Sequence, residues 1–150
     1  MIKVLVTGSA GFIGFHLVRE LLQQDYNVVG IDNINDYYDP QLKLDRLRNL
    51  DKFSSSLPGL NRYSFIKLEL SNKERLTELF KEHSFDVVIN LAAQAGVRYS
   101  LDNPDAYISS NLLGFCNMLE MCRQNKPEHM IFASSSSVYG MNTKTPFSTQ

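Results

Sequence analysis

Residues Thr7-Gly8-Ser9-Ala10-Gly11-Phe12-Ile13-Gly14 read as G-x-x-G-x-x-G, a spacing suited to holding a diphosphate. Glycine at position 8 permits a tight turn. Gly11 lets a pyrophosphate approach the backbone at a helix N-terminus, and Gly14 lets that helix pack close to a sheet. A glycine triplet alone discriminates poorly, because turns are rich in glycine; its place after an apolar run and before an amphipathic one is what the fingerprint requires. Asp32 stands about 20 residues beyond the motif, where the same fingerprint has an acidic residue. A carboxylate there accepts hydrogen bonds from the adenosine ribose hydroxyls and repels a 2′-phosphate. No arginine adjoins it in the sequence, so the pattern favours NAD over NADP.

Three further groups could take part in chemistry. Ser134-Ser135-Ser136-Ser137-Val138-Tyr139-Gly140 follows an apolar run. A serine run by composition alone is a flexible loop, but at the carboxyl end of a parallel strand its hydroxyls are expected to face a ligand crevice. Tyr139 has Thr143 four residues on, not lysine, and is a poor Tyr-x-x-x-Lys base. Arg98 follows Ala92-Ala93-Gln94-Ala95-Gly96-Val97; it either grips a phosphate or carboxylate or is a solvated loop charge, and the residues leave both open. His16, His83 and His129 have no metal-ligand spacing.

The elements that must position these groups alternate strand and helix. Ile2–Val6, Val28–Ile31, Tyr63–Leu68, Val87–Ile89 and Met130–Ala133 are short, largely apolar runs of buried parallel-strand type. Phe12, Ile13, Leu17, Val18, Leu21 and Leu22 recur at helical spacing. Ser71-Asn72-Lys73-Glu74 predicts a capping box for a helix that buries Leu76, Leu79 and Phe80. Asn103-Pro104 predicts the start of a long helix running to about Gln124. Residues Asn33–Asn61 are the irregular piece, with a helix expected from Gln41 to about Phe53 and then a Ser/Pro/Gly loop. Strands alternating with helices at this pace predict one α/β domain over residues 1–150, a Rossmann-like doubly wound parallel sheet of about five strands with helices on both faces.

Composition excludes other classes. The 150 residues carry 15 basic against 16 acidic side chains, a charge of -1 that argues against an electrostatic nucleic-acid or membrane-surface binder. With 43% hydrophobic and 21% charged residues, the chain is neither disordered nor fibrous. No apolar run approaches the roughly 20 residues of a membrane helix, and the N-terminus lacks signal-peptide form. Cytoplasm is therefore the expected compartment. Cys116 and Cys122 fall on different faces of a helix, which predicts no mutual disulfide and two core-filling thiols.

The sequence resembles the extended short-chain dehydrogenase/reductase superfamily through four features: Thr7 to Gly14, Asp32-Asn33, Asn90-Leu91-Ala92-Ala93 and Ser134 to Gly140. Three longer segments, 32–43, 92–100 and 132–140, are similar to those of UDP-glucuronate 4-epimerases, which make UDP-galacturonate for surface polysaccharides. This resemblance, over the whole chain, implies that Gly8, Gly11, Phe12, Ile13 and Gly14 hold the NAD pyrophosphate. It assigns Asp32, Asn33 and Asn35 to the adenosine ribose and its surroundings, and Glu69 and Leu70 to the adenine. Leu91, Ala92, Ala93 and Gln94 would line the nicotinamide side with Asn111 in support. Ser135 matches the catalytic Ser/Thr, while Ser136, Ser137 and Arg98 fall to the sugar substrate.

The implied reaction passes through a 4-keto sugar with transient hydride transfer to NAD, and Ser135 aligns the 4-oxygen. The family's Tyr-x-x-x-Lys pair lies after the serine strand, and no copy follows it before Gln150. The expectation is an N-terminal part, inactive alone, of an enzyme that is a homodimer at full length. A sheet edge and apolar helix surface left exposed at such an end would favour association. Alternatives are a UDP-galactose-type epimerase and a non-catalytic NAD-binding module. Dehydratases of the superfamily place an Asp-Glu pair beside their catalytic Thr, where this chain has Ser136 and Ser137.

Overall fold

A computed structural model of the chain describes residues 1–58 and 62–148. The end of the expected Ser/Pro/Gly loop, residues 59–61, lies outside them. Five strands form a single parallel sheet in the order β3-β2-β1-β4-β5: β1 Lys3–Thr7, β2 Asn27–Asp32, β3 Tyr63–Lys67, β4 Val87–Asn90 and β5 His129–Phe132. The doubly wound arrangement expected from the sequence is the one observed. From β1 the chain winds outward through β2 and β3, then returns to place β4 on the other side of β1. The switch point therefore lies between β1 and β4, where doubly wound sheets open a crevice at the carboxyl ends of the strands.

Side-chain alternation along β1 divides the core in two. Val4 and Val6 face Val18 and Leu22 of α1 (Phe12–Gln23) and Leu50 of α2 (Pro40–Ser56). Leu5 points the other way, to Leu76, Leu79 and Phe80 of α3 (Lys73–Glu82) and to Met118 and Met121 of the chain's last α-helix, Phe115–Asn125. Both faces of β1, β2 and β4 are covered, which is why those strands read as nearly continuous apolar runs. The last strand departs from the buried type expected for it: β5 is an edge strand with Ile131 47% and Phe132 50% exposed.

Several local expectations need correction. The α3 cap is Asn72, whose side chain accepts from the Arg75 backbone N–H at 3.0 Å, rather than a box built on Ser71. The long helix after Asn103 is three pieces: α5 Pro104–Tyr107, a π-helical stretch Ile108–Gly114, and α6 Phe115–Asn125. A short helix, α4 Tyr99–Asp102, precedes them. Phe12 and Ile13 do not belong to the buried stripe of α1; they are 68% and 66% exposed at its first turn. Cys116 is exposed rather than core-filling, while Cys122 is half-buried against the core and burial pushes its thiol up. Both thiols are free. Among the described residues no helix is long and apolar enough to cross a membrane, and no group of three or more His, Cys, Asp or Glu is placed to hold a metal.

Candidate functional site

An open cleft lies over the carboxyl ends of β1, β2 and β4. Its floor is the turn from β1 into α1. Gly8 adopts φ +67, a left-handed conformation natural only to glycine. A Cβ there would come within 3.0 Å of the Ala92 backbone nitrogen, so the turn is seated directly against the loop after β4. Gly11 N–H donates to the Gly8 carbonyl at 2.9 Å and closes the turn. Gly8 and Gly11 both line the cleft. Gly14 is buried beneath them, against the Gly8 backbone. Helix α1 starts at this turn, so its unpaired N–H groups present a partial positive charge to whatever the cleft holds.

Thr7 joins the two strands flanking the switch point. Its hydroxyl donates to Asn90 Oδ1 at 2.7 Å and accepts from the Leu91 and Ala92 backbone N–H groups at 3.1 and 2.9 Å. Leu91, Ala92, Ala93 and Gln94 then line the cleft. Gln94 is held further by Asn111, which accepts from its N–H at 2.8 Å and donates to its carbonyl at 3.0 Å. Asn111 sits in the π-helical stretch, an insertion geometry common at functional sites. It does not line the cleft itself; it fixes a residue that does.

The β2 end is equally braced. Asp32, buried, accepts from Ala10 N–H at 3.3 Å and Ile34 N–H at 2.9 Å. Ile34 takes φ +54, a costly conformation for a β-branched residue, and this directs the chain so that Asn33 and Asn35 both line the cleft. Asn35 N–H donates to Asn33 Oδ1 at 3.0 Å. Glu69 Oε2 accepts from Asn33 Nδ2 at 2.7 Å. Glu69 and Leu70 close the far wall.

Several residues of this site went unrecognised in the sequence. Lys43 of α2 lines the cleft with only 6% of its side chain exposed, its Nζ 3.5 Å from Asp32 Oδ1 and 2.7 Å from Asn35 Oδ1. The available signal was its place on the buried stripe Lys43, Leu47, Leu50, Ser54, because a lysine there requires an anionic or carbonyl partner. Tyr37 and Tyr38 also line the cleft. Tyr37 packs on Tyr99 with ring centroids 5.0 Å apart. Tyr107 donates to the Ala95 carbonyl at 3.0 Å and to the Gly96 carbonyl; its phenol is pushed up by desolvation and by the neighbouring phenols of Tyr37 and Tyr99. These tyrosines brace the loop after β4 against the loop after β2.

Other expected site residues lie away from the cleft lining. Phe12 and Ile13 stand exposed at the head of α1, and Arg98 is exposed just before α4. Ser135, Ser136 and Ser137 follow β5 and are exposed; Ser135 Oγ accepts from Ser137 N–H at 3.1 Å and caps a short 3-10 turn. Tyr-x-x-x-Lys spacing does occur once in the chain, at Tyr63 and Lys67, ahead of the serines. It lies on β3 rather than after the serines, with Tyr63 in the core and its phenol pushed up by burial, so it offers no base to the cleft.

A parallel sheet in this order, with a glycine turn leading into α1 and a carboxylate ending β2 at the mouth of the crevice, makes this a Rossmann-type nucleotide-binding domain. Comparison with known proteins refines that class. The chain belongs to the GDP-mannose 4,6 dehydratase family, whose profile matches residues 5–150. It is 50% identical to the protein CapI of Staphylococcus aureus over 147 residues, which is 98% of this chain and 42% of CapI. It is 47% identical over 148 residues to UDP-glucuronate 4-epimerase 4 of Arabidopsis thaliana, covering 98% of this chain and 32% of that protein. The fold superposes with a TM-score of 0.81 and 36% identity on UDP-glucuronic acid 4-epimerase from Bacillus cereus, a variant solved with UDP-4-deoxy-4-fluoro-glucuronic acid and NAD, over 95% of this chain and 43% of that one. The chain thus spans about two fifths of the length of CapI.

Proposed function

We propose that residues 1–150 are the NAD-binding portion of a nucleotide-sugar epimerase that interconverts UDP-glucuronate and UDP-galacturonate. The observation that carries the cofactor is the Gly8–Gly11 turn beneath a cleft whose β2 end is a buried carboxylate. A Cβ at Gly11 would meet the Gly8 carbonyl oxygen at 3.0 Å in the face that must admit a pyrophosphate. Gly8 and Gly11 hold the pyrophosphate, with Phe12 and Ile13 at the head of α1; Asp32, Asn33 and Asn35 hold the ribose; Glu69 and Leu70 flank the adenine. Leu91, Ala92, Ala93 and Gln94 take the nicotinamide side. When bound, NAD accepts a hydride from the sugar and returns it.

The substrate assignment is supported by the similarity to UDP-glucuronate 4-epimerases and by the B. cereus enzyme's complex with a UDP-glucuronate analogue. The family carries a dehydratase's name, but the two residues after Ser135 are serines and supply no acid for dehydration. Ser135 orients the sugar 4-oxygen, and Ser136, Ser137 and Arg98 meet the sugar carboxylate. The full-length protein is a homodimer, and light scattering on the full gene product should give twice the chain mass. Its support is the exposed apolar run Ile108, Leu112, Leu113 and Leu119.

The test is turnover by the full gene product, followed by chromatography of UDP-sugars. UDP-glucuronate should convert to UDP-galacturonate faster than UDP-glucose converts to UDP-galactose. Ser135→Ala should lower kcat roughly a hundredfold, as loss of a single aligned hydrogen bond does, with NAD affinity unchanged. A silent Ser135→Ala in a protein that still binds NAD would favour the non-catalytic module. Preference for UDP-glucose would favour the UDP-galactose type.

A further inference from the structure

The cleft holds a buried lysine beside the carboxylate that ends β2. Lys43 is almost fully buried, yet its ion pair with Asp32 is long at 3.5 Å; its short contact is to the neutral Asn35 carbonyl at 2.7 Å. One turn further along α2, Arg46 donates to the Ala10 carbonyl at 3.1 Å and to Tyr38 Oη at 3.0 Å. Both cations lie against the Tyr38 ring, Lys43 Nζ at 5.0 Å and Arg46 Cζ at 5.9 Å from its centroid. Lys43, which lines the cleft, and Arg46, outside its lining, are therefore a basic pair sharing one aromatic ring, with Asp32 paired to Lys43. Glu69 is the other acid lining the cleft, and it is engaged by Asn33.

We propose that Lys43 is a cofactor-specificity residue acting jointly with Asp32: paired with the carboxylate it leaves the site selective for a free ribose 2′-hydroxyl, and released from it becomes the anchor for a 2′-phosphate. This rests on the cleft being an NAD site. The physical ground is that the Asn35 carbonyl meets one donor of this buried ammonium but leaves its charge unbalanced, and an anionic partner balances it. With Asp32 present the partner is internal, and a phosphate brought beside it meets a like charge. With Asp32 neutralised, the Lys43 ammonium and the nearby Arg46 guanidinium offer charge-assisted donors that a phosphate dianion satisfies and a hydroxyl does not. Selectivity is then a property of the pair rather than of the carboxylate alone.

The test is calorimetric titration of NAD and of NADP into the cofactor-free full gene product. Asp32→Asn keeps an acceptor for the Ile34 N–H while removing the charge, and Asp32→Ser is a second, smaller variant. Wild type should prefer NAD. Both variants should bind NADP at least tenfold more tightly than wild type and NAD more weakly. Adding Lys43→Met to Asp32→Asn should abolish the NADP gain; that double variant leaves no orphaned charge from the pair, so folding is protected. An equal NADP gain with and without Lys43 overturns the proposal, because repulsion by Asp32 would then explain everything. No gain in either Asp32 variant overturns it as well. A wild-type protein that binds neither nucleotide overturns the NAD assignment itself, and the proposal with it.

Discussion

Replacing Gly14 by alanine should cost at least about 3 kcal/mol of stability and abolish nucleotide binding. A Cβ on Gly14 would land on the Gly8 carbonyl oxygen and lie 2.8 Å from the Gly8 carbonyl carbon and 2.9 Å from Ser9 Cα. Every one of these obstacles is backbone, so no rotamer change relieves the clash. Either α1 lifts from the sheet or the turn opens. Lifting α1 would loosen the packing of Val18 and Leu22, and opening the turn would break the Gly11-to-Gly8 hydrogen bond at 2.9 Å. The turn cannot retreat, because Gly8 is wedged against the Ala92 backbone on its other side. In thermal unfolding the loss should appear as a fall in Tm of roughly 6–12 °C.

Two neighbouring comparisons isolate the cause. Gly11→Ala meets only the Gly8 carbonyl oxygen, at 3.0 Å, so it should fold nearly normally while binding NAD poorly. Gly140→Ala has nothing within 4 Å and carries only the backbone strain of φ +61, ψ -138, a region nearly confined to glycine, about 1–3 kcal/mol. A Gly14→Ala protein with a Tm no lower than Gly140→Ala would show that the turn is more compliant than its contacts indicate.

The parts of the molecule that were legible in the sequence are those whose physics is local. Val4, Leu5 and Val6 announce a strand buried on both faces, and the glycine spacing marks the turn because a missing Cβ leaves its trace in the residue type itself. Lys43 was not legible as a site residue, because its partner Asp32 lies on another element and only the fold brings them together. Its position on the buried stripe of α2 was visible, but not what it would meet. The π-helical stretch is illegible for a similar reason: nothing in the residue types of Ile108–Gly114 specifies an i→i+5 pattern over an α-helical one. Within it, Gly114 lets the helix pack on Leu70, where a Cβ would lie 2.8 Å from the Leu70 Cβ, and Asn111 is committed to the Gln94 backbone. Tertiary contacts at its middle and its end accompany this geometry, and local propensity does not report them. Cys116 was misplaced because six-residue spacing puts two cysteines on different faces without saying which face the core takes.

The second large effect is expected at Thr7, a residue that glycine-centred motif reading passes over. Thr7→Val preserves the shape of a fully buried side chain and removes one hydroxyl. That hydroxyl serves as donor to Asn90 Oδ1 and as acceptor for the Leu91 and Ala92 N–H groups, so its loss leaves one acceptor and two backbone donors without it. An unsatisfied buried group costs about 1–3 kcal/mol, less where water can reach it, as at half-buried Leu91 and Ala92. The sum expected is about 3 kcal/mol. The damage should not be confined to stability, because Leu91 and Ala92 line the cleft and Gly8 sits against the Ala92 backbone. NAD affinity should fall together with the urea midpoint. Thr7→Ser keeps the hydroxyl and deletes only a methyl group, so it should lose about 1 kcal/mol and retain most NAD binding. The pair of variants separates hydrogen bonding from packing. If serine proves as damaging as valine, the methyl contact and not the bridge between β1 and β4 holds the two sides of the switch point together.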